Sequence, residues 1–290
     1  MNTQIVTAIY FGQPEFPYYT WPYQARLERY LYSLSQLTRM NVPIKCYVND
    51  YTEPLVKELN LKNLTIIKKH LDEFRYSSKL RHLKDNNEIE KTYLQSNSVK
   101  MYHEIDFGKL SILRDNYSDS EYTYWVDSGL SYWSLWPNKY NPYPIDGMSS
   151  TVTNYRFDKV FNTDFIKNIN KYVGNKLLCL GNRCGVNTKV FPNFNYELGY
   201  NMVGGIIGGN VSHMEDFLSE FDRMFDEMFK KNIIINHEAL MSIISHERPD
   251  IFKNWLFDTW DHENSLDSQH NPVNIPKSYV RFSDFVEDIK

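Results

Sequence analysis

The sequence contains few cysteines, and their spacing builds no metal site. Only Cys46, Cys179 and Cys184 occur in 290 residues, and none of them belongs to a C-x-x-C pair. Structural zinc sites need four ligands at characteristic spacings, so nothing here indicates one. We expect three reduced thiols in a cytosolic protein, since Cys179 and Cys184 could pair only in an oxidising compartment.

Long apolar runs and an excess of positive charge are also missing. No run of about 18 or more apolar residues occurs, and the opening MNTQIVTA lacks the basic and apolar regions of a signal peptide. We therefore expect no transmembrane segment and a cytoplasmic protein. The formal net charge of −4 provides no field for a nucleic-acid backbone, so nucleic acid is a poor candidate partner.

Aromatic residues, by contrast, are abundant. The chain has 22 Tyr, 17 Phe and 6 Trp, together 16% of its residues. This excess suits stacking against sugar rings or bases, although a coding bias that also enriches Asn, Lys and Ile accounts for part of it. Hydrophobic residues at 42% and charged residues at 23% indicate a globular chain.

The N-terminal part alternates between β-type runs and helical segments. Strands are predicted at residues 5–10, 42–50 and 64–67, with helices at 22–40 and 53–59 between them. Strand, helix and strand at this spacing favour a parallel sheet with right-handed crossovers.

One domain is predicted over residues 1–263. Within it, residues 70–97 are highly charged with little apolar periodicity, which indicates an exposed helical excursion or lid. Residues 264–290 are expected to form a C-terminal tail packed on the domain.

The aromatic and β-branched run Tyr122 to Val126 stops abruptly at Asp127, followed by Ser128 and Gly129. Such a run is typical of a buried strand, and Ser-Gly is typical of a tight turn. Ligands of open α/β sheets bind at the carboxyl ends of the strands, which makes Asp127 a candidate site residue. Taken alone, it would equally fit an ordinary turn.

Two more charged residues are candidates for the same site. Lys109 interrupts an apolar helix predicted at 98–116, so it either extends to the edge of the core or is aimed at the end of the next strand. Glu238 follows Asn236 at the exposed start of a late helix, where the helix dipole favours an ionised carboxylate. Its alternative reading is a plain helix-start residue.

Four glycines interrupt the apolar run from Asn201 to Asn210, which we predict to be a strand. Glycines in a strand indicate that its backbone closely approaches a ligand or another strand. The run lacks both the Gly-Lys-Ser/Thr ending of a phosphate loop and the spacing of the dinucleotide fingerprint.

These features occur in a characteristic order: the helix carrying Lys109, the strand ending in WVDSG, the GGIIGG run, and a long helix followed by HEAL. In that order the chain resembles GT-A type glycosyltransferases, most closely the bacterial HtrL/YibB family, which includes the WlaTB-type proteins of surface-glycan loci. The resemblance covers about residues 5–260.

The resemblance implies an α/β fold, a GT-A-like single domain with a mostly parallel central sheet flanked by helices. It also implies a glycosyltransferase, of the hexosyltransferase kind, that uses a nucleoside-diphosphate sugar donor. Its acceptor would be a glycan or glycolipid of the cell surface, such as lipopolysaccharide, lipooligosaccharide or capsule. A peripheral contact with the inner face of the membrane would suit such an acceptor.

Site residues follow from the same resemblance. Asp127 matches the first acid of the D-x-D motif, which holds Mn²⁺ or Mg²⁺ against the leaving diphosphate. The third position is Gly129, so a second ligand would have to come from Asp261 or His262, or one carboxylate would suffice. Glu238 and Asp127 would be the catalytic carboxylates, with Glu238 as the candidate base for the acceptor hydroxyl. The donor would contact Lys109, Asp127, Thr7, Ala8, Gly204 and Gly205.

Two other functions fit the same residues. A non-catalytic carbohydrate-binding or glycan-assembly protein could keep the fold without the second metal acid. A glycoside hydrolase could use Asp127 and Glu238 as its carboxylate pair. Binding of a nucleoside diphosphate distinguishes the transferase from both.

Overall fold

The computed structural model describes residues 2–11, 23–86, 99–129, 161–182, 200–202, 204–232 and 237–257, together with 285, 288 and 289. In these ranges, eight strands form one sheet, and seven α-helices flank it. The strands are β1 (Thr3–Ile9), β2 (Ile44–Val48), β3 (Leu64–Lys68), β4 (Tyr122–Val126), β5 (Leu177–Asn182), β6 (Asn201–Met202), β7 (Ile206–Asn210) and β8 (Phe252–Phe257). The helices are α1 (Tyr23–Leu37), α2 (Thr52–Glu58), α3 (Ser77–Asn86), α4 (Val99–Asn116), α5 (Thr163–Val173), α6 (Met214–Lys230) and α7 (His237–Glu247).

The sheet changes direction at its centre. Its order is β3-β2-β1-β4-β7-β5-β6, with β8 also paired to β5. The first four strands are mutually parallel, whereas β7 is antiparallel to both β4 and β5, and β8 is parallel to β5. Strand β4 therefore lies between a parallel neighbour and an antiparallel one.

Alternation along the strands divides the core into two layers. Val6 and Trp125 face a layer shared with α4, α6 and α7, whereas Ile5 and Tyr124 face a layer shared with α5. Phe285 packs into the second layer. The packing of the C-terminal tail as a whole stays a prediction. Each helix thus covers one face of a sheet that is buried on both sides.

The predicted α/β architecture, a mostly parallel central sheet flanked by helices, is confirmed. The strand at 122–126 lies where it was predicted, and β1, β2 and β3 pair in parallel as expected. Strands β5 and β8 were not predicted, because both belong to segments without a clear alternation of apolar and polar residues. Strand β5 is buried on both faces and so has no alternation to show. In β8 the consecutive residues Lys253 and Asn254 are both exposed, which breaks the period of two.

The prediction of an exposed excursion at 70–97 is wrong for its first part. Leu71, Phe74, Tyr76 and Leu80 are buried in the layer that contains α4 and α6. The charged residues between and directly after them lie at the surface and pair with α4 and α6: Arg75 with Asp222, Lys79 with Asp226, and Arg81 with Glu104. Residues 87–97 lie outside the described ranges.

Cys46 and Cys179 are buried free thiols, and burial raises the pKa of each to about 12. A thiol in such surroundings is protonated and unreactive at neutral pH. Cys184 lies outside the described residues. Within those residues, no helix combines the length and the apolar character needed to cross a bilayer.

Two glycines of β7 allow the backbones of neighbouring strands to approach closely. Gly208 has φ +130° and Gly209 has φ +150°, a region that favours glycine. A Cβ at Gly208 would collide with the carbonyl oxygen of Thr123, and one at Gly209 would lie 2.5 Å from that of Lys176. The sequence predicts that the glycine backbone closely approaches either a ligand or another strand. At Gly208 and Gly209, the close approach is to a neighbouring strand.

We expect Gly208→Ala to destabilise the protein more than Gly174→Ala. Both positions have positive φ, but a Cβ at Gly174 meets nothing within 4 Å. The backbone strain of about 1–2 kcal/mol is therefore shared, and the collision at Gly208 should add about 1–3 kcal/mol. Urea unfolding followed by circular dichroism measures both variants. Equal losses would show that β4 and β7 can separate without a packing penalty.

Candidate functional site

Asp127 lies directly after β4, at the carboxyl end of the central strand. Its backbone N–H donates to the carbonyl oxygen of Gly205 at 2.9 Å. The indole Nε1 of Trp125 donates to Oδ1 at 2.6 Å. The side chain is 30% exposed, so one part of the carboxylate is held by the protein while another faces solvent.

Lys109 reaches this carboxylate from α4, which packs on β1 and β4. Its Nζ lies 3.0 Å from Oδ1 and 3.3 Å from Oδ2 of Asp127, and 5.8 Å from the centre of the Trp125 ring. The side chain is only 9% exposed. Of the two readings offered by the sequence, the structure supports the one in which the lysine is aimed at the end of the strand.

Glu238 is the second residue of α7 and contacts the site through the backbone. Its Oε1 accepts a hydrogen bond from the Gly204 N–H at 2.7 Å. Burial raises the pKa of Glu238, whereas the Gly204 hydrogen bond and the charge of Lys109 oppose that rise. The helix start is therefore partly buried and not exposed, and desolvation opposes the ionised form that the helix end favours.

The turn at Gly204 and Gly205 links these three side chains. The Gly204 N–H binds Glu238, its carbonyl oxygen lies 3.5 Å from Nζ of Lys109, and the next carbonyl binds the backbone of Asp127. A Cβ at Gly204 would lie 2.5 Å from Nε2 of His237, so no other residue fits there without displacement. The sequence predicts one strand for the glycine run, and this prediction is wrong. The run consists of β6, a turn at Gly204 and Gly205, and β7.

Asp106 and His237 belong to the same cluster, and sequence reasoning did not find them. Asp106 is 3% exposed; its Oδ1 lies 3.4 Å from Nζ of Lys109 and its Oδ2 lies 3.6 Å from Nδ1 of His237. Burial raises the pKa of Asp106 to about 7; Lys109 opposes the rise, and Glu238 and Asp127 add to it. The sequence signal is the i, i+3 spacing between Asp106 and Lys109, which places both on one helix face.

Thr7 and Ala8, the predicted donor contacts on β1, face opposite sides of the sheet. Thr7 is buried on the side of Ile5 and Ile9, away from Lys109, and within the described residues its Oγ1 has no hydrogen-bond partner. Ala8 faces the Lys109 side, and its carbonyl oxygen accepts from Oγ of Ser128 at 2.8 Å. Only Ala8 is thus brought next to the turn that follows Asp127. A nucleotide contact at either residue stays a prediction.

The residues described around Asp127 do not by themselves make a metal site. Among the described residues, no group of three or more His, Cys, Asp and Glu side chains is arranged to hold a metal ion. The Lys109 ammonium, 3.0 Å from Asp127, already places a positive charge beside the carboxylate. Asp261 and His262 lie outside the described ranges. Metal coordination by Asp127 and His262 stays a prediction.

Burial is the main cause of the raised pKa values of Asp106 and Glu238, and the charge balance of the cluster adds to it. Three carboxyl groups, those of Asp106, Asp127 and Glu238, lie near the one ammonium of Lys109. With every group ionised the cluster is negative, so Asp106 and Glu238 hold their protons to a higher pH. A diphosphate that binds here needs a compensating positive charge, from a proton or a cation.

No model of a protein family matches the chain, and no curated protein matches it in sequence. Among solved structures, the chain is similar to mouse xyloside xylosyltransferase 1, with 10% identity, a TM-score of 0.48, and coverage of 88% of this chain and 85% of that one. It is also similar to 4-diphosphocytidyl-2C-methyl-D-erythritol synthase of Anaerococcus prevotii, with 11% identity, a TM-score of 0.38, and coverage of 99% and 96%.

A third similar structure is mannose-1-phosphate geranyltransferase of Thermus thermophilus, with 11% identity, a TM-score of 0.37, and coverage of 88% of this chain and 74% of that one. Similarities at this level leave the activity to be argued from the site itself. Membership of the HtrL/YibB family stays a prediction.

We expect the stability of the wild type to fall with rising pH more steeply than that of Asp106→Asn. Because the pKa of Asp106 is raised to about 7, its contribution is fully present below about pH 4 and lost as the pH rises through about 7. The difference in unfolding free energy should change by about 2–4 kcal/mol over that window. Urea denaturation at pH 4 to 8 measures it.

The control is Asp115→Asn, on the same helix, where the carboxylate is 43% exposed and pairs with Lys69. That variant should follow the wild-type pH dependence. Parallel curves for the wild type and Asp106→Asn would show that Asp106 titrates normally and that its burial is compensated.

Proposed function

We propose that this protein is a glycosyltransferase that moves a sugar from a nucleoside-diphosphate sugar to a glycan or glycolipid acceptor. One observation carries the proposal: Asp127, Lys109 and Glu238, which are far apart in the sequence, are linked at the carboxyl end of the central strand. Open α/β sheets bind their ligands at this edge. Both kinds of group that glycosyl transfer requires, a cation and a carboxylate base, are present there.

The ammonium of Lys109 is assigned to the leaving diphosphate. Negative charge builds up on that group as the bond to the sugar breaks, and a fixed cation in a site of low water content stabilises it. Lys109 is 9% exposed and lies between oxygens of Asp127 and Gly204, which hold the ammonium in place before the donor binds. Asp127 thus orients Lys109. The requirement for Mn²⁺ or Mg²⁺ rests on the resemblance, and this role of Lys109 does not depend on it.

Glu238 is assigned to the acceptor hydroxyl. Its Oε1 is held by the Gly204 N–H, so Oε2 is the oxygen that we assign to the proton of the hydroxyl. General-base catalysis is most efficient when the pKa of the base lies near the working pH. Burial raises the pKa of Glu238 toward that range. The environment therefore favours general-base catalysis more than an exposed helix start would.

The finer assignments come from the resemblance to the HtrL/YibB family. They comprise hexosyl transfer and an acceptor in lipopolysaccharide, lipooligosaccharide or capsule. They also include a cytoplasmic location, in contact with the inner face of the membrane. Donor contacts by Thr7, Ala8, Gly204 and Gly205 have the same basis.

A second candidate function, glycoside hydrolysis, is favoured by one observation. The pKa of Glu238 is raised by burial, while Asp127 lies beside the Lys109 ammonium. Hydrolases use a pair of carboxyl groups in different environments, one as the acid and the other as the nucleophile or base. A hydrolase would cleave an aryl glycoside without any nucleotide, which separates it from the transferase.

We expect Asp127→Asn to change nucleoside-diphosphate binding in opposite directions with and without metal. If Asp127 coordinates Mn²⁺, the variant should bind UDP or GDP at least about tenfold more weakly in its presence. Without Mn²⁺, removing a carboxylate beside the phosphates should strengthen binding, because one repulsive charge is gone. Isothermal titration calorimetry with both nucleotides measures this.

Asp119→Asn is the matched control, since its exposed carboxylate pairs with Lys45 away from the site. If the wild type and Asp127→Asn bind UDP and GDP with equal affinity both with and without Mn²⁺, Asp127 does not belong to the donor site.

We expect Glu238→Gln to lower kcat by at least about a hundredfold while nucleotide affinity stays unchanged. Glutamine keeps the oxygen that accepts from Gly204 but removes the basic carboxylate. Initial rates with a nucleotide-sugar donor, together with calorimetry, separate the two effects. Glu247→Gln, at the other end of α7 in an exposed pair with Arg223, should be as active as the wild type. Turnover retained by Glu238→Gln would mean that it is a helix-start residue.

A further inference from the structure

Asp106 is a buried carboxylate that neither the fold nor the proposed chemistry has yet explained. It is 3% exposed and belongs to the layer that contains Phe107 and α6. Removing a carboxylate from water costs several kcal/mol unless charges and hydrogen bonds compensate. The Lys109 ammonium lies 3.4 Å from Asp106 and the His237 imidazole 3.6 Å from it, beyond the usual hydrogen-bond length, so the compensation from Lys109 is mainly electrostatic.

Stability is a poor explanation for a carboxylate in this place. A buried ion pair is often no more stabilising than apolar residues of the same volume, and a phenylalanine-rich layer could readily supply those. The raised pKa of Asp106 points the same way, because the folded protein disfavours its ionised form. What the carboxylate does provide is a negative charge behind the Lys109 ammonium.

We propose that Asp106 is a positioning residue for the transfer reaction, whose buried carboxylate holds the Lys109 ammonium from the protein side while Asp127 and the Gly204 carbonyl oxygen contact it from the other. The inference rests on the proposed function, because it assigns Lys109 to the donor diphosphate. It adds a residue that makes no contact with substrate and acts through Lys109.

The geometry of the ammonium shows why such a residue is needed. Nζ of Lys109 lies 3.0 Å from Asp127, 3.4 Å from Asp106 and 3.5 Å from the Gly204 carbonyl oxygen. A lysine side chain has four rotatable carbon–carbon bonds, and a bound diphosphate would attract its charged end toward solvent. Asp106 lies three residues earlier on the same rigid helix, so it opposes that movement without moving itself.

His237 connects Asp106 to the helix that carries Glu238, the residue assigned as the base. Its Nδ1 lies 3.6 Å from Oδ2 of Asp106, and it immediately precedes Glu238 at the start of α7. Its Nε2 lies 2.5 Å from the position that a Cβ of Gly204 would take. Asp106 thus stands between the lysine assigned to the leaving group and the helix that carries the base.

The test is a double-mutant cycle in kcat at pH 8, above the pKa of Asp106. We expect Asp106→Asn to lower kcat about tenfold, which corresponds to about 1.4 kcal/mol, with the donor KM changed less than about twofold. In a Lys109→Met background, the same change should alter kcat less than about twofold, because the residue on which Asp106 acts is gone. A merely structural role predicts the same loss in both backgrounds.

A second variant distinguishes a loss of kcat caused by lost positioning from one caused by lost stability. Asp106→Leu has nearly the same shape and should keep or raise the melting temperature, yet it should lose kcat as Asp106→Asn does. Asp115→Asn, on the same helix and paired with Lys69, should match the wild type. If Asp106→Leu keeps the wild-type kcat, the positioning role is overturned.

A measurement without substrate completes the test. Acylation by an amine reagent, read by mass spectrometry, should modify Lys109 several-fold faster in Asp106→Asn than in the wild type, because the ammonium is less firmly held. If the wild type is active and the kcat of Asp106→Asn is within about twofold of the wild-type kcat, only the positioning role is overturned. An unchanged rate of Lys109 acylation would also overturn only the positioning role. A wild type that neither binds a nucleoside diphosphate nor transfers a sugar would overturn the proposed function, and the positioning role with it.

Discussion

The ammonium of Lys109 joins three elements of the structure: its own helix, the end of a strand and a turn from a distant part of the sequence. It lies 3.0 Å from Asp127 after β4, 3.4 Å from Asp106 on its own helix, and 3.5 Å from the Gly204 carbonyl oxygen between β6 and β7. A cation that is 9% exposed has lost most of its hydration, and only protein oxygens can replace it. Helix, strand and turn must therefore meet at this point.

The sheet makes that meeting possible because its direction changes beside β4. Strand β7 is antiparallel to β4, and the register pairs Val126 with Ile206. The start of β7 therefore lies at the carboxyl end of β4, and the preceding turn, Gly204 and Gly205, lies opposite Asp127. In an all-parallel sheet the start of that neighbour would lie at the opposite edge. The reversal brings backbone groups to the edge where α/β sheets bind ligands.

Much of the fold could be predicted from local patterns. Strand β4 and the helix carrying Lys109 lie close to their predicted positions, because a run of buried residues and an apolar helix interrupted by one charge are visible in any window of the sequence. Strand β5 could not be predicted because it is buried on both faces and shows no alternation. Strand β8 could not be predicted because its exposed residues, Lys253 and Asn254, are consecutive and not alternate. The buried residues at 71–80 were hidden by charged neighbours that pair with other helices.

By itself, the sequence singled out the residues to which we assign the chemistry: an acid that ends a buried strand, a lysine inside an apolar helix and a glutamate at a helix start. Each is conspicuous because its charge interrupts an apolar pattern within a few residues. Only the tertiary structure decided what these groups do to one another. It paired Lys109 with Asp127, brought in Asp106 and His237, and buried Glu238 enough to raise its pKa. Desolvation and charge–charge distances depend on contacts between remote segments, which no local pattern records.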